Sequence, residues 1–294
     1  MEPIFDTELA ETNRLNAFKT ARPGADFLLN IAAEEIADRL AVVERQFSDA
    51  AELYGTTGAS ARAVMATGKV DRIYRVETAV DFGAPAEDLR VAPLEFPGLE
   101  DQSLNLVVSP LALHLINDTP GFFIQVRRAL KPDGLFLAAI PGSGTLSELR
   151  ECLLTAETEI YGGASPRVIP FADVRDVGGL LQRAGFALPV VDQENYTVRY
   201  DTLFDLMADL KAMGMANPLL GRPKRPVSRA FFLRAAELYA ERFSDPDGRI
   251  RATFSIIYVS GWAPHESQQK PLRPGSAKTR LADALNTEEI KLKR

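Results

Sequence analysis

The sequence predicts a doubly wound, mostly parallel α/β sheet with a helical insertion, and three observations predict it. Apolar strand-length runs alternate with helical periodicities over residues 49–140, the pattern of parallel strands joined by crossovers. The stretch from Leu104 to Ile140 reads as strand, amphipathic helix, Lys131-Pro132-Asp133-Gly134 and strand. There Pro132 cannot continue a helix, and Asp-Gly favours the turn back into the sheet. The last apolar run, Ala252 to Trp262, is rich in Thr, Phe, Ile, Tyr and Val, the residues of a pleated, half-buried surface.

Taken in order, Phe27, Leu28, Ile31, Ile36, Leu40 and Val43 recur at helical spacing and place a helix over 25–43, inside an N-terminal helical segment of residues 1–45. Strands are expected at Asp49–Leu53, Arg72–Glu77, Leu89–Ala92, Leu104–Ser109, Leu135–Ile140 and Leu188–Val191. The link between the second and third holds Gly83 and Pro85 and is too short for a full helix. A helix over Ala172–Ala184 closes at Gly185, and an additional helix, Thr145–Ile160, follows the fifth strand. The core therefore spans 46–195 and resumes at 248–264. Between them an insertion at 196–247 carries helices over Asp201–Met213 and Ser228–Phe243. It is expected as a lid over the carboxyl ends of the strands, where open α/β sheets bind ligands. Residues 265–294 are expected to be an extended tail.

The composition excludes several classes. Of 294 residues, 46% are hydrophobic and 25% charged, enough for one large core. A net charge of -6 argues against a nucleic-acid partner, because no basic field would collect phosphates. The lone cysteine, Cys152, excludes an intrachain disulfide framework and suits a reducing compartment. No transmembrane window and no basic signal-peptide start is present, so a cytoplasmic protein without a membrane span is expected. The oligomeric state is not legible.

The strand–helix–KPDG–strand segment resembles the fourth and fifth strands of class I S-adenosylmethionine-dependent methyltransferases, a Rossmann-like fold. The loop that resemblance calls for, D/E-x-G-x-G-x-G after the first strand, corresponds to Glu52-Leu53-Tyr54-Gly55-Thr56-Thr57-Gly58. Small residues there let backbone approach the cofactor, and the helix N-terminus faces it. Glu52 and Gly58 keep the pattern, while Tyr54 and Thr56 replace its first two glycines and Gly55 is one place off. The resemblance implies a cofactor set of Glu52, Gly55, Thr56, Gly58, Glu77 (ribose hydroxyls), Glu95 and Ser109. Pro93 stands where an adenine-contacting acid often follows the third strand, so Glu95 would serve only with a shifted backbone. S-adenosylmethionine is thus the implied cofactor, weakened by the degraded glycine loop.

Over nearly its whole length the chain resembles a narrower group, the methyltransferase-like assembly factor of respiratory NADH dehydrogenase (complex I), the factor numbered five in mitochondria, with its alphaproteobacterial relatives. The matching segments are Ser109-Pro110-Leu111-Ala112-Leu113-His114, Leu130-Lys131-Pro132-Asp133-Gly134, Glu148-Leu149-Arg150, Ala156-Glu157-Thr158-Glu159 with Gly162-Gly163, Arg183-Ala184-Gly185-Phe186 and Gly261-Trp262 with His265-Glu266-Ser267-Gln268. That resemblance implies modification, by hydroxylation or methylation, of an arginine side chain in a complex I subunit as protein substrate. Two alternatives stand beside it: a non-catalytic assembly chaperone with a decayed cofactor site, and a malonyl-carrier-protein or other small-molecule O-methyltransferase.

The candidate catalytic residue is His114, just past the fourth strand, as general base or substrate-orienting group. The competing reading is a loop histidine bonded to Asn117 or Asp118. No metal site is expected, since His114 and His265 are distant in sequence and lack ligand spacing. Glu148, Glu151, Glu157 and Glu159 lie on one helix and suit the guanidinium of a substrate arginine, or only a solvated face. Gly142-Ser143-Gly144 would let a peptide approach, or is a plain turn. Arg222, Lys224, Arg225 and Arg229 form a basic patch for an acidic partner, or a solvated loop. Cys152 reads as packing.

Overall fold

The structure is a computed structural model, and it describes residues 2–84, 87–269, 281–284 and 287. Seven strands form one sheet: β1 (Ala50–Leu53), β2 (Ile73–Glu77), β3 (Leu89–Val91), β4 (Leu104–Pro110), β5 (Leu130–Pro141), β6 (Ala187–Tyr200) and β7 (Ile250–Trp262). Their order is β3-β2-β1-β4-β5-β7-β6. The first five strands pair in parallel, and β7 runs antiparallel to both β5 and β6. The chain reverses direction across the sheet between β1 and β4. Their carboxyl ends therefore bound the crevice where a doubly wound sheet binds ligands.

Successive residues along the central strands point to opposite faces, as the pleat requires. Ala51, Val107, Phe136 and Ala138 meet α4 (Thr119–Ala129) and α6 (Val174–Arg183) through Phe122, Phe123, Val177 and Leu181. Ala50, Leu106, Val108, Leu135 and Leu137 belong to the opposite core. That core takes in α2 (Phe27–Ala41), α3 (Ala59–Ala66), α5 (Ser147–Tyr161), α7 (Leu203–Ala212) and α8 (Arg229–Phe243). A near-continuous apolar strand is what a sheet covered on both faces demands. Side chains placed just ahead of the helices start them. Asp118 Oδ1 accepts from Gly121 N at 2.9 Å, Asp173 Oδ1 from Arg175 N at 2.8 Å and Ser228 Oγ from Phe231 N at 3.2 Å.

The structure differs from the sequence reading at four places and agrees with it in the link between β2 and β3. Helix α1 (Thr7–Thr20), capped by Asp6, was not resolved within the expected N-terminal segment; its apolar positions are few, because it packs through Ala10 and the buried Arg14. Lys131 to Gly134 is not a turn outside the sheet. It is the irregular start of β5, with Asp133 at φ 64° and a register shift opposite β4. Strand β6 continues to Tyr200, paired along β7, so the boundary at 195/196 falls inside a strand. Between β2 and β3 only a 3-10 turn, Val80–Phe82, remains, as the short link predicts. Of the tail, residues 270–280, 285–286 and 288–294 lie outside the described residues, and Leu281–Ala284 (α9) forms one helical turn. No helix among the described residues is long and apolar enough to cross a membrane.

Candidate functional site

The loop after β1 keeps the backbone of a glycine-rich turn without its glycines. Tyr54 and Thr56 have φ of 57° and 58°, the left-handed region that costs a side chain roughly 1–2 kcal/mol. Gly58 continues the run at φ 68° and starts α3. The left-handed conformation persists although the residue type that makes it inexpensive has gone.

What now fills the space beneath that loop is the chain itself. Glu52, Arg75 and Glu77 are all buried. Glu52 accepts from Arg75 Nε at 2.7 Å and from Ala61 N at 2.9 Å. Arg75 also donates to the carbonyls of Phe82 and Thr56, both at 3.0 Å, and to Glu87 at 2.8 Å. Burial alone would lower the Arg75 pKa, but the carboxylates of Glu52, Glu77 and Glu87 together outweigh it, and the guanidinium holds its proton more firmly than usual. Glu77 accepts from Thr56 N at 2.5 Å, and Arg14 from α1 reaches its other oxygen at 3.2 Å. The same Arg14 nitrogen donates to the Tyr54 carbonyl at 2.8 Å and Thr56 Oγ1 at 2.9 Å. The Tyr54 ring is fully buried beside Phe122, and its hydroxyl donates to the Pro93 carbonyl.

Each residue of the expected cofactor set can now be placed. Glu52 and Glu77 spend their oxygens on Arg75, Arg14 and backbone N–H groups. A Cβ at Gly55 would collide with the Glu52 carboxyl, and one at Gly58 would stand 3.0 Å from the Arg75 guanidinium, so both glycines serve this ion-pair cluster. Glu95 accepts from Asn117 N at 2.7 Å and tethers the loop before α4. Ser109 Oγ donates to the Leu53 carbonyl at 3.1 Å and is fully buried. Of the set, Thr56 lines the large cavity beside the loop. The fold is that of S-adenosylmethionine-dependent methyltransferases, and in this structure the side chains assigned to its nucleoside are bonded within the chain. The acid meant for ribose is already paired with Arg14, and neither Glu77, Pro93 nor Leu94 reaches the cavity.

That cavity, about 1050 Å³, opens at the carboxyl edge among Leu111, His114, Pro141, Thr145 and Ser255, with α1 and α7 across from them. The insertion contributes Met207, Leu210, Met213 and Met215 to it. His114 lies in the 3-10 turn Leu113–Leu115, with its ring 6.2 Å from that of Phe171. It is not bonded to Asn117 or Asp118. Asn117 is held by the backbone of Ile4 and Phe5 and by Glu95, Asp118 caps α4, and His114 Nδ1 has no hydrogen-bond partner among the described residues. Burial, with the Arg14 charge adding to it, holds the His114 pKa down to about 3, so the imidazole is neutral near pH 7.

The other candidates resolve as follows. The carboxylates of α5 are taken up inside the chain: Glu148 by Thr253, Glu151 by Arg242 at 2.9 Å, Glu157 by Arg167 at 2.5 Å and Glu159 by Arg234 at 2.7 Å. They do not form a free cradle for a substrate arginine; two of the pairs join α5 to α8. Gly142 and Gly144 lie against Ile257 and Ser255, where a Cβ would crowd β7, so they belong to packing between strands. In the basic patch, Arg222 pairs with Asp6 at 3.0 Å and ties the insertion to the N-terminal segment. Cys152 is buried, its thiol pushed up to about 12 by burial, which leaves it protonated and unreactive. Among the described residues no three His, Cys, Asp or Glu side chains gather as a metal site. The sequence reading missed Arg14, an arginine on a polar helix with no motif around it. Its only signal was a pair of acids, Glu52 and Glu77, in strands too apolar to hold them unpaired.

Residues 55–138 match the family described as a methyltransferase domain. The chain is 37% identical over 310 residues to the mitochondrial arginine-hydroxylase NDUFAF5 of Dictyostelium discoideum, covering 97% of this chain and 71% of that protein. The chain belongs to the NDUFAF5 arginine-hydroxylase family. A malonyl-[acyl-carrier protein] O-methyltransferase of Gallionella capsiferriformans is 34% identical over 173 residues, covering 59% of this chain and 57% of that enzyme. Among solved structures, a putative methyltransferase from Bacillus halodurans superposes with a TM-score of 0.54 at 14% identity, over 78% of this chain and 97% of that one, which shows the shared fold.

Proposed function

We propose that this NDUFAF5-family protein acts in the assembly of respiratory NADH dehydrogenase by hydroxylating an arginine side chain of one of its subunits. The observation that carries the reading is 37% identity to an arginine-hydroxylase sustained over 97% of the chain, far beyond the methyltransferase-domain segment. The resemblance to the carrier-protein O-methyltransferase stops at 59% of the chain, which counts against small-molecule methylation. The filled nucleoside trough counts against methyl transfer in the same direction. A cytoplasmic location accompanies this reading, supported by a single cysteine, which leaves no intrachain disulfide framework and suits a reducing compartment.

The second reading, a chaperone without catalysis, is favoured by that same filled trough and by the paired carboxylates of α5. One experiment separates the two. NADH dehydrogenase purified from a strain lacking the gene, and from the same strain complemented, is digested and its arginine peptides weighed. Hydroxylation predicts one peptide carrying an added oxygen only in the complemented strain, with assembled enzyme reduced in the deletion. Reduced assembly with unmodified arginines in both strains would assign the chaperone role. Normal assembly with a requirement for biotin would assign the carrier-protein methyltransferase.

A further inference from the structure

Helix α1 is held to the rest of the chain mainly by polar contacts. Between residues 2 and 20 the fully buried apolar side chains are Phe5 and Ala10, with Phe18 half-buried against Phe82, whereas α2 alone buries Leu28, Ala32, Ala33, Ile36 and Leu40. The other ties are Asp6 to Arg222 at 3.0 Å, Lys19 to Asp81 at 2.8 Å and Glu11 to the Leu94 N–H at 3.2 Å. Exposed pairs of the Lys19–Asp81 kind contribute little. Past the helix the chain turns through Ala21 at φ 45° and an uncrowded Gly24 at φ 78°. Little apolar burial, with a turn at one end, is the make-up of a segment that opens locally.

What fixes α1 deeply is the Arg14 guanidinium, and its surroundings are those of a guanidinium-binding site. One nitrogen donates to the Tyr54 carbonyl, Thr56 Oγ1 and Glu77. The charge lies 6.0 Å from the centre of the Tyr54 ring and 5.4 Å from that of Phe82. A carboxylate, two further acceptors and two aromatic rings suit a planar cation better than an ammonium. Glu77 is fully buried, so a cation has to replace Arg14 when it leaves. Arg75 stands 3.5 Å from the other Glu77 oxygen but is itself engaged by Glu52 and Glu87. The position lies in the crevice at the strand ends, and Arg14 and Thr56 also line the large cavity, which gives a route to it.

We infer that Arg14 is an internal stand-in for the substrate: α1 lifts, and the arginine of the protein substrate takes over the contacts with Glu77, Tyr54 and Thr56. The identity of the incoming arginine rests on the hydroxylase reading, while the exchange of one guanidinium for another rests on the geometry. With α1 closed the chain inhibits itself, and apparent substrate affinity falls by the fraction of molecules that are open.

The test uses the full chain with N-acetylarginine amide and, as an uncharged probe of the same shape, N-acetylcitrulline amide. In hydrogen exchange at millimolar probe, the amides of α1 are expected to exchange about fivefold faster with the arginine probe and at an unchanged rate with citrulline, while β4 and β5 stay protected. In calorimetry the arginine probe is expected to bind Arg14→Ala about tenfold more tightly than the native chain. Asp6→Ala, which loosens α1 from Arg222 without touching the guanidinium contacts, is expected to tighten binding about threefold, and it decides the matter if Arg14→Ala fails to fold. A purely structural Arg14 predicts α1 unmoved by either probe and affinity unmoved by Asp6→Ala; either result, or equal binding of the two probes, overturns the inference. An added oxygen on a subunit arginine in the complemented strain, with α1 unmoved by the probe, overturns the stand-in alone. Release of α1 by the arginine probe, with the subunit arginines unmodified in both strains, overturns hydroxylation alone.

Discussion

The trough beneath the β1 loop and the cavity beside it lie within one crevice and share Arg14, yet they are finished in opposite ways. In the trough every oxygen of Glu52 and Glu77 meets a donor from the chain, and the Tyr54 hydroxyl meets Pro93. Behind the wall of the cavity, buried polar atoms of Arg14, His114 and Ser255 find no partner among the described residues. The left-handed backbone at Tyr54 and Thr56 is kept at a cost, with side chains where a glycine-rich loop has none.

The largest effect expected from breaking this contrast is in the trough. Arg75→Met leaves Glu52 buried with only the Ala61 N–H as donor, beside a Glu77 that keeps Thr56 N and Arg14. It should cost about 3–5 kcal/mol in urea denaturation. A loss below about 1 kcal/mol would mean that the cluster is open to water and the trough accessible. Next comes Tyr54→Gly. Truncating a buried ring costs about 3–5 kcal/mol, and relief of the left-handed conformation returns about 1–2 kcal/mol, so a net loss of about 1–4 kcal/mol is expected. Tyr54→Phe, which gives up only the bond to Pro93, should cost about 0.5–1.5 kcal/mol. A glycine variant more stable than the native protein would show that the ring is not part of the core.

The fold was legible in the sequence because apolar periodicity fixes a sheet covered on both faces. Leu104–Ser109 was read to within one residue of its end, and Leu135–Ile140 covers the regular, buried part of β5 but not its irregular start at Leu130 to Gly134. Strand β6 was read short because Asp192 to Asn195 are polar, although half-buried Tyr196, Val198 and Tyr200 alternate beyond them on the same edge strand. The trough was only half legible. The loss of glycine at Tyr54 and Thr56 was visible, but the partners that replaced the ligand, Arg14 and Arg75, come from elements with no motif of their own. Likewise the α5 carboxylates looked available, since nothing in a linear sequence pairs Glu151 with Arg242 or Glu159 with Arg234.

On the cavity side, His114 supplies a pH-dependent test. Its folded pKa of about 3 lies below the ordinary 6.5. Above 6.5 the ring is neutral in both states and costs nothing. As pH falls from 6.5 towards 3 only the unfolded chain takes up the proton, so folded stability declines through that window. Because the ring keeps some exposure to the cavity, a decline of about 1–3 kcal/mol attributable to His114 is expected. The His114→Leu variant should lack it in urea melts at pH 7 and pH 4. Equal acid sensitivity of variant and native protein would place the ring in water. The smallest effect is expected at Ser255→Ala, about 0.5 kcal/mol or less in thermal unfolding, since the hydroxyl removed has no partner to lose. By contrast, Thr145, whose hydroxyl bridges Ser255 N and O at 3.0 and 2.8 Å, should cost about 1–3 kcal/mol as Thr145→Val.

The most direct test of the claim that the nucleoside trough is filled is calorimetric titration of the purified native chain with S-adenosylmethionine. The occupied Glu77, the Arg14 strap and the buried Tyr54 ring predict no saturable heat up to millimolar ligand. Stoichiometric binding at micromolar concentration would contradict the account and return this crevice to the chemistry of its fold.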